Sequence, residues 1–431
     1  MKDVLVLGSG PAGYYASILC ATNGLDVVLV EKEKLGGTGF ANGALPIKIL
    51  LDGIKQNPHI TYEHLRKEYT RKMTYCQEKI MSDLKQAKVN LVIGETGFKD
   101  KNTISVNGKD ISAKNIIIAT GSRPSDGFGV VYGKNVMTHR EALSLKNLPK
   151  DIIIIGANVE GIEFATLFSK YGIKVTAVEM MQDILSGNDD DLKKPVIDGL
   201  KKLDVNFITG EEIVKLEENN DKVVVTLRSG KTATAEKCLI CTSRVPNIPK
   251  GASDIGIEYE SLGIKTDDCF ITCVPNIYAV GDVNGKCLMA NAAINQGIVA
   301  ALKILNKKVQ TRKNNYEGIP RAIFTIQEIA GVGLQEWELR EKGIKYKIAK
   351  QQLVSTWRGI SKGYTDGFIK VLVDNEDRLQ GVWMVGRDAS ELVGNLDILL
   401  NQKVSAGLIK NSLFVHPSLS EALLDALIKL T

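Results

Sequence analysis

KDVLVLGSGPAGYYASILCATNGLDVVLVE at residues 2–31 aligns without a gap on KDIIIIGANVEGIEFATLFSKYGIKVTAVE at residues 150–179. Gly8, Gly13, Gly24 and Glu31 of the first copy fall on Gly156, Gly161, Gly172 and Glu179 of the second. Each copy reads as an apolar strand, a glycine turn, a helix, a second strand and a terminal acid, the pattern of a dinucleotide-binding βαβ unit. Two equal copies imply two such folds in one polypeptide.

In the first copy Gly8 permits the tight turn, Gly10 lets backbone approach a pyrophosphate, and Gly13 lets the helix sit close to the strand. Glu31 stands where it can accept hydrogen bonds from an adenosine ribose. The second copy is less regular, with Asn158 at the position of Gly10. Asparagine tolerates positive φ better than other residues with a Cβ, so the turn is expected to survive. Its side chain crowds the pyrophosphate, and weak binding of NAD(H) or an idle fold are both open. No arginine follows Glu179, Met180 and Met181 to neutralise a 2′-phosphate, which favours NAD over NADP.

A chain of 431 residues with 44% hydrophobic content is long enough for roughly three domains. Its formal net charge of +5 is dispersed, a mild preference for anionic ligands without a nucleic-acid or membrane signal. The N-terminus runs straight into a strand, and no apolar run approaches roughly 18 residues, so a cytoplasmic location is expected. Seven cysteines, an odd number, suggest free thiols in a reducing compartment. Cys238 and Cys241, with Cys269 and Cys273, invite comparison with a metal site. Residues three apart on a strand face opposite sides, so these read as structural cysteines, and no metal is expected.

Between the two copies lies GGTGFANGALPIK, residues 36–48. Its glycines and threonine let amides approach a pyrophosphate, and Pro46 and Lys48 open a helical run through Ile49, Leu50 and Leu51. Residues 60–88 read as one long polar helix, followed by strands near 90–93 and 103–106 and by IIIATGSRP at 116–124. Residues 216–234 read as a hairpin meander turning at Ser229-Gly230. NIYAVGDV at 276–283 and a helix over 289–302 come next. From residue 319 strands and amphipathic helices suggest a separate α+β domain, which closes on HPSLSE at 416–421.

These motifs, in this order and over essentially the whole chain, resemble the flavoprotein disulfide reductases, and among them the dihydrolipoamide dehydrogenases. The resemblance implies an α/β architecture of two Rossmann-like dinucleotide-binding domains, one for FAD and one for NAD, with a C-terminal α+β dimerisation domain. It divides the chain into an FAD domain at 1–148 and 275–318, an NAD domain at 149–274 and an interface domain at 319–431. FAD would be held by Gly8, Gly10, Gly13 and Glu31 and by Gly37, Thr38 and Lys48 of the 36–48 stretch. Thr120 and Gly121 would line its path. Gly281 and Asp282 would meet the ribitol, and a helix start at Met289 and Ala290 would point at the pyrimidine edge. NAD(H) would lie on Gly156, Asn158, Gly161 and Glu179. Lys48 and Glu163 match a pair beside flavin N5 and the nicotinamide. His416 and Glu421 match an acid/base pair that the family borrows from the partner subunit, so a homodimer acting on a small molecule is expected.

Departures from the family pattern carry as much information. Two redox cysteines with four residues between them belong where this chain has Gly39 and Ala44. Glu160 replaces an aliphatic residue, Ser243 a glycine and Asn291 a histidine. Neither glycine nor alanine forms a thiolate. The resemblance then implies an FAD oxidoreductase whose substrate exchanges electrons with flavin directly, with His416 moving the proton, and no reduction of lipoamide. A quinone, dioxygen, a second nicotinamide (diaphorase or transhydrogenase activity) and an organic substrate are all open as partners in that exchange. So is a degenerate chain that binds FAD as a structural or sensing subunit.

Overall fold

In the computed structural model the described residues are 1–125, 132, 134–219, 221–309 and 316–430. Residue 220 of the expected meander, residues 310–315 of the returning FAD segment and residue 431 lie outside them. The chain divides into two compact units, Met1–Asn147 with Thr242–Tyr316, and Leu148–Cys241 with Glu317–Thr431.

The first unit is built on parallel strands in the order Asn90–Ile93, Val27–Glu31, Lys2–Leu7, Lys109–Ile118, and Ile277–Ala279 also pairs with Lys109–Ile118. Strand side chains alternate between faces, and both faces here are covered. Val4, Val6, Leu29 and Ile117 point into one apolar layer with Ala16 and Ala300. Leu5, Leu7, Val28 and Ile118 point into the other. That second layer is completed by Ala252, Ile255, Ile257, Ile264 and Val274. The chain therefore re-enters the first unit at Thr242, and residues 242–274, expected with the second nucleotide fold, cover the sheet of the first. Arg244–Pro246 pairs antiparallel with Ser122–Pro124 at this point of return.

In the second unit, parallel strands run in the order Asn206–Thr209, Lys174–Glu179, Asp151–Ile155, Lys237–Ile240. The meander is present as Ile213–Asn219, Lys222–Leu227 and Thr232–Ala235. The C-terminal part is an antiparallel sheet in the order Arg321–Ile323, Glu328–Gly333, Leu379–Gly386, Phe368–Asp374, Tyr346–Gln352. Ala422, Leu423, Ala426 and Leu427 of the helix Glu421–Ile428 pack against Val371, Val373 and Met384 of this sheet. No helix among the described residues is long and apolar enough to cross a membrane.

One buried cation ties the second unit together. Lys370 is fully buried, with Nζ 2.7 Å from Asp189 Oδ2, 2.7 Å from Asp191 Oδ1 and 3.1 Å from Glu336 Oε1. Lys350 adds a second ammonium 2.6 Å from Asp191 Oδ2. Asp189 also accepts the backbone N–H groups of Glu336 (3.0 Å) and Trp337 (3.1 Å), so it caps the helix Glu336–Glu341 as well. The three carboxylates stand close enough together to hold a metal ion. The Lys370 ammonium is bonded to all of them. Burial pushes the Asp191 carboxyl up, but hydrogen bonds from Lys350 and Lys370 outweigh it and hold it below its ordinary value. Burial likewise opposes the charge on Lys370, and its bonds to Asp189 and Asp191 raise its pKa regardless.

Lys370→Met strands these carboxylates, and a loss of about 3–5 kcal/mol in unfolding free energy is expected near neutral pH, read from the urea midpoint. The deficit should narrow by about pH 5, because acids that have lost their cation take up protons early, while Asp191 of the wild type stays ionised until below its unfolded value of about 3.9. A variant as stable as wild type at neutral pH would remove the cluster from this account.

Candidate functional site

The two βαβ copies close their turns in the same way. Gly8 at φ 103° and Gly156 at φ 95° make the left-handed step. Each donates its N–H to the second strand, Gly8 to Val30 O and Gly156 to Val178 O, both at 2.8 Å. A Cβ at Gly13 would lie 1.9 Å from Gly8 O, and one at Gly161 would lie 1.9 Å from Gly156 O. Glu31 Oε2 accepts the Ser9 N–H at 2.9 Å, and Glu179 Oε2 accepts the matching Ala157 N–H at 2.8 Å. Their Oε1 atoms accept the N–H groups of Glu33 and Met181, both at 3.0 Å.

Ser9 makes the first copy different. Its buried hydroxyl donates to Glu31 at 2.6 Å and accepts the Gly36 N–H at 2.9 Å, joining the acid to the 36–48 stretch. Lys32 N–H is a fourth donor to Glu31, at 2.8 Å. Of these four donors the Ser9 hydroxyl alone can rotate away. Gly10 begins the helix Pro11–Thr22, and a Cβ there meets nothing within 4 Å. Gly37, at φ 53°, comes so near that its Cβ would lie 3.0 Å from Gly10 Cα. Gly8, Gly10 and Gly37 thus form a side-chain-free cradle at a helix N-terminus, which fits the pyrophosphate of FAD.

The expected helix at Pro46 begins earlier, at Ala44, after a wide turn over Thr38–Asn42. Lys48 is half-buried on that helix. A Cβ at Gly39 would stand 2.2 Å from Cγ and 2.8 Å from Cδ of Pro11. The proline ring occupies the space in which any side chain at 39 would begin. Cys76 donates its thiol to Phe40 O at 3.6 Å, and burial raises its pKa. His139, 2% exposed, places its ring carbon 3.7 Å from a Cβ built at Gly43. Neither residue is marked by a motif.

Thr120 and Gly121 clasp Asn247: the Thr120 hydroxyl donates to Asn247 O at 2.6 Å, and the Asn247 N–H donates to Gly121 O at 2.9 Å. Asp282 Oδ2 accepts the Ser122 hydroxyl at 2.6 Å, and Arg244 Nε donates to that hydroxyl at 2.7 Å. Arg244 thus fixes the direction of the Ser122 proton and the rotamer of Asp282, whose Oδ1 takes part in no bond among the described residues. That suits a carboxylate meant for a sugar hydroxyl. Gly281 N–H donates to the fully buried Gln296 at 2.7 Å. Met289 caps the helix Ala290–Ile304, one residue later than the expected start. Ser9, Ser122, Arg244 and Asn247 were not singled out from sequence; their one signal is polarity beside glycine turns and short paired strands.

In the second unit Asn158 corrects an expectation. It sits at φ −91°, not in the left-handed region, because Gly156 makes that step. Its Oδ1 accepts the Val159 N–H at 2.9 Å and occupies the first donor of the helix Val159–Lys170. Glu160 adds a carboxylate in the same first turn. The fold keeps its dinucleotide form, with a side-chain oxygen and a carboxylate at the helix start where the first copy has neither. Glu163 is 2% exposed and accepts the Phe324 N–H at 3.0 Å. Cys241 is held protonated by burial first, with Glu160 and Glu163 contributing.

His416 and Glu421 are brought together. Nδ1 and Glu421 Oε1 are 2.8 Å apart, and Glu421 Oε2 accepts the Ser418 N–H at 2.8 Å. The hydrogen bond from His416, followed by that from Ser418, holds the Glu421 carboxyl below its ordinary value. An ionised carboxylate on Nδ1 selects the tautomer that leaves Nε2 to exchange a proton.

Gly39→Cys should lower the unfolding free energy by about 1–3 kcal/mol through overpacking against Pro11, and Pro11→Ala in the same chain should recover most of it. An unchanged thermal midpoint for the single variant would contradict the contact. Asn158→Gly frees the Val159 N–H, and a dissociation constant for NADH lower by about tenfold is expected from titration. No tightening, at equal flavin content, means that the side chain is not the obstacle.

Residues 2–297 match the family model described as pyridine nucleotide-disulphide oxidoreductase, and residues 319–427 match its dimerisation domain. The dihydrolipoyl dehydrogenase 2 of Haloarcula marismortui is 32% identical, with 98% of this chain and 95% of that protein covered. The dihydrolipoyl dehydrogenase of Bacillus subtilis is 33% identical at the same coverage. Among solved structures, LpdA from Mycobacterium tuberculosis superposes with a TM-score of 0.92 at 23% identity, covering 100% of both chains. The HOCl-induced flavoprotein disulfide reductase RclA from Escherichia coli gives 0.90 at 23%, again over 100% of both. With twin glycine turns, a cradle free of side chains and matches along nearly its whole length, the chain belongs to the pyridine nucleotide-disulphide oxidoreductases, a family of FAD-dependent enzymes that use NAD(H).

Proposed function

We propose that this chain is an NAD-linked FAD oxidoreductase that exchanges electrons directly with a small molecule other than a disulfide. The observation that carries this reading is at residue 39. No cysteine occurs between Cys20 and Cys76, and the Pro11 ring fills the space beside Gly39, which with Ala44 stands, by the resemblance, at the family's thiol positions. Three of the other thiols are poor substitutes: burial pushes Cys20 up to about 12 and raises Cys238 and Cys241 too. No disulfide joins any two of the seven cysteines among the described residues, which also supports a reducing, cytoplasmic setting.

FAD, when bound, supplies the two-electron chemistry. Glu31, Ser9 and the Gly8–Gly10–Gly37 cradle would hold its adenosine and pyrophosphate, and Asp282, oriented by Ser122 and Arg244, would take the ribitol. Lys48 favours the negative charge of the reduced state. His416 Nε2 gives or takes the substrate proton, while Glu421 stabilises the imidazolium. The dimerisation domain supports a homodimer in which each His416 serves the other subunit. The domain limits proposed from the resemblance are kept, except that residues 242–274 belong with the FAD domain.

A second reading, a catalytically degenerate FAD-binding subunit, draws on Asn158 and Glu160, which blunt the NAD-binding turn. Diaphorase, oxidase and transhydrogenase activities are variants of the first. Anaerobic stopped-flow separates the two: rapid bleaching of the flavin by NADH is expected, and flavin left oxidised at millimolar NADH favours the second reading. Brisk reduction of lipoamide defeats the first outright. His416→Ala should reduce turnover of the substrate by about 10²–10⁴-fold while flavin reduction by NADH persists. Equal loss of both steps would take the proton-transfer role from His416.

A further inference from the structure

Of the three tryptophans, two are tied into the fold. Trp383 is 1% exposed and donates its indole N–H to Leu334 O at 3.3 Å, and Trp337 donates to Gly187 O at 3.3 Å. Trp357 differs. It is 65% exposed, and its indole N–H has no partner among the described residues. Its ring lies 6.2 Å from the His416 imidazole, centroid to centroid, at an interplanar angle of 71°.

The backbone beneath this exposed ring is fixed. Trp357 is the first residue of the helix Trp357–Lys362, capped by the fully buried Thr356. The Thr356 hydroxyl donates to Leu353 O at 2.8 Å and accepts the Gly359 N–H at 3.0 Å. Gly359 packs so tightly that a Cβ would stand 1.8 Å from Leu353 O. A large apolar ring is thus displayed from a rigid turn beside a histidine whose Nδ1 is already committed to Glu421. Ile360 of the same helix and Val415, which precedes His416, are 62% and 77% exposed.

We infer that Trp357 is the substrate-recognition residue of the His416 site and selects flat, conjugated molecules with an oxygen on the ring edge. This deepens the function proposed above and rests on it. An indole face offers a planar guest dispersion and π contact that a flexible aliphatic substrate does not match. A guest lying flat on the indole is steeply inclined to the imidazole, so an edge atom meets the proton carrier and the two rings do not compete for one face.

The test uses the flavin-loaded protein and 1,4-naphthoquinone-2-sulfonate as the probe. In calorimetric titration, Trp357→Ala should weaken binding at least about tenfold, with Trp357→Phe staying within about threefold of wild type. In turnover with NADH, Trp357→Ala should raise KM for the probe far more than it lowers kcat, and should cut the specificity ratio of probe to ferricyanide by about the factor seen in binding. Sedimentation should find wild type and variant in the same oligomeric state. Equal affinities for wild type and Trp357→Ala overturn the assignment, as does a variant that falls apart into monomers, which makes Trp357 a subunit contact. Binding that depends on Trp357 in a protein that turns over neither acceptor upholds the recognition role and sinks the redox reading instead.

Discussion

A carboxylate at the end of a strand, reaching back to the backbone of a glycine turn, is the interaction on which both nucleotide folds depend. Glu31 and Glu179 each accept the N–H of the residue after the first glycine and a second N–H from two residues beyond themselves. The turn is thereby closed against its own sheet, the glycine is held at positive φ, and the helix that follows is aimed with its N-terminus at the mouth of the turn. Because main-chain donors hold both of its oxygens, the direction of the acid is set by the chain itself. Ser9 extends the same arrangement to Gly36, so the start of the 36–48 stretch is tied to Glu31.

That linkage bears on the chemistry. In a disulfide reductase the stretch after the first βαβ unit presents two thiols; here the corresponding backbone runs in a wide turn against Pro11, with no room for a Cβ at residue 39. A side chain at residue 39 would have to displace the Pro11 ring. Meanwhile the His416–Glu421 pair keeps the geometry of an oriented proton carrier.

The second copy of the repeat shows how one side chain separates fold from ligand. Asn158 leaves every packing contact of the turn intact, since Gly156 and Gly161 make the close approaches. It spends its own oxygen on the Val159 N–H, the group that an incoming phosphate would use. Lys370 illustrates the complementary case, in which polar groups serve cohesion: three carboxylates and a buried ammonium join the helix Asp190–Lys201 to the C-terminal sheet without any ligand.

The repeat, the strand-helix-strand order and the acid at each strand end were legible in the sequence because they are local: period, glycine spacing and one carboxylate per copy suffice. The His416 to Glu421 spacing was legible for the same reason, five residues being short enough for one loop to join them. The sequence by itself determined that two dinucleotide folds form and that residues 36–48 between them carry no cysteine. Tertiary structure alone decided that Asn158 sits at negative φ and caps its own helix. It decided that the chain returns to the first unit at Thr242, because residues 252–274 cover an apolar face. It also decided that Ser122 and Arg244, 122 positions apart, orient Asp282. These depend on which distant surfaces meet, and a side chain's partner across a sheet has no signature in its own neighbours along the chain.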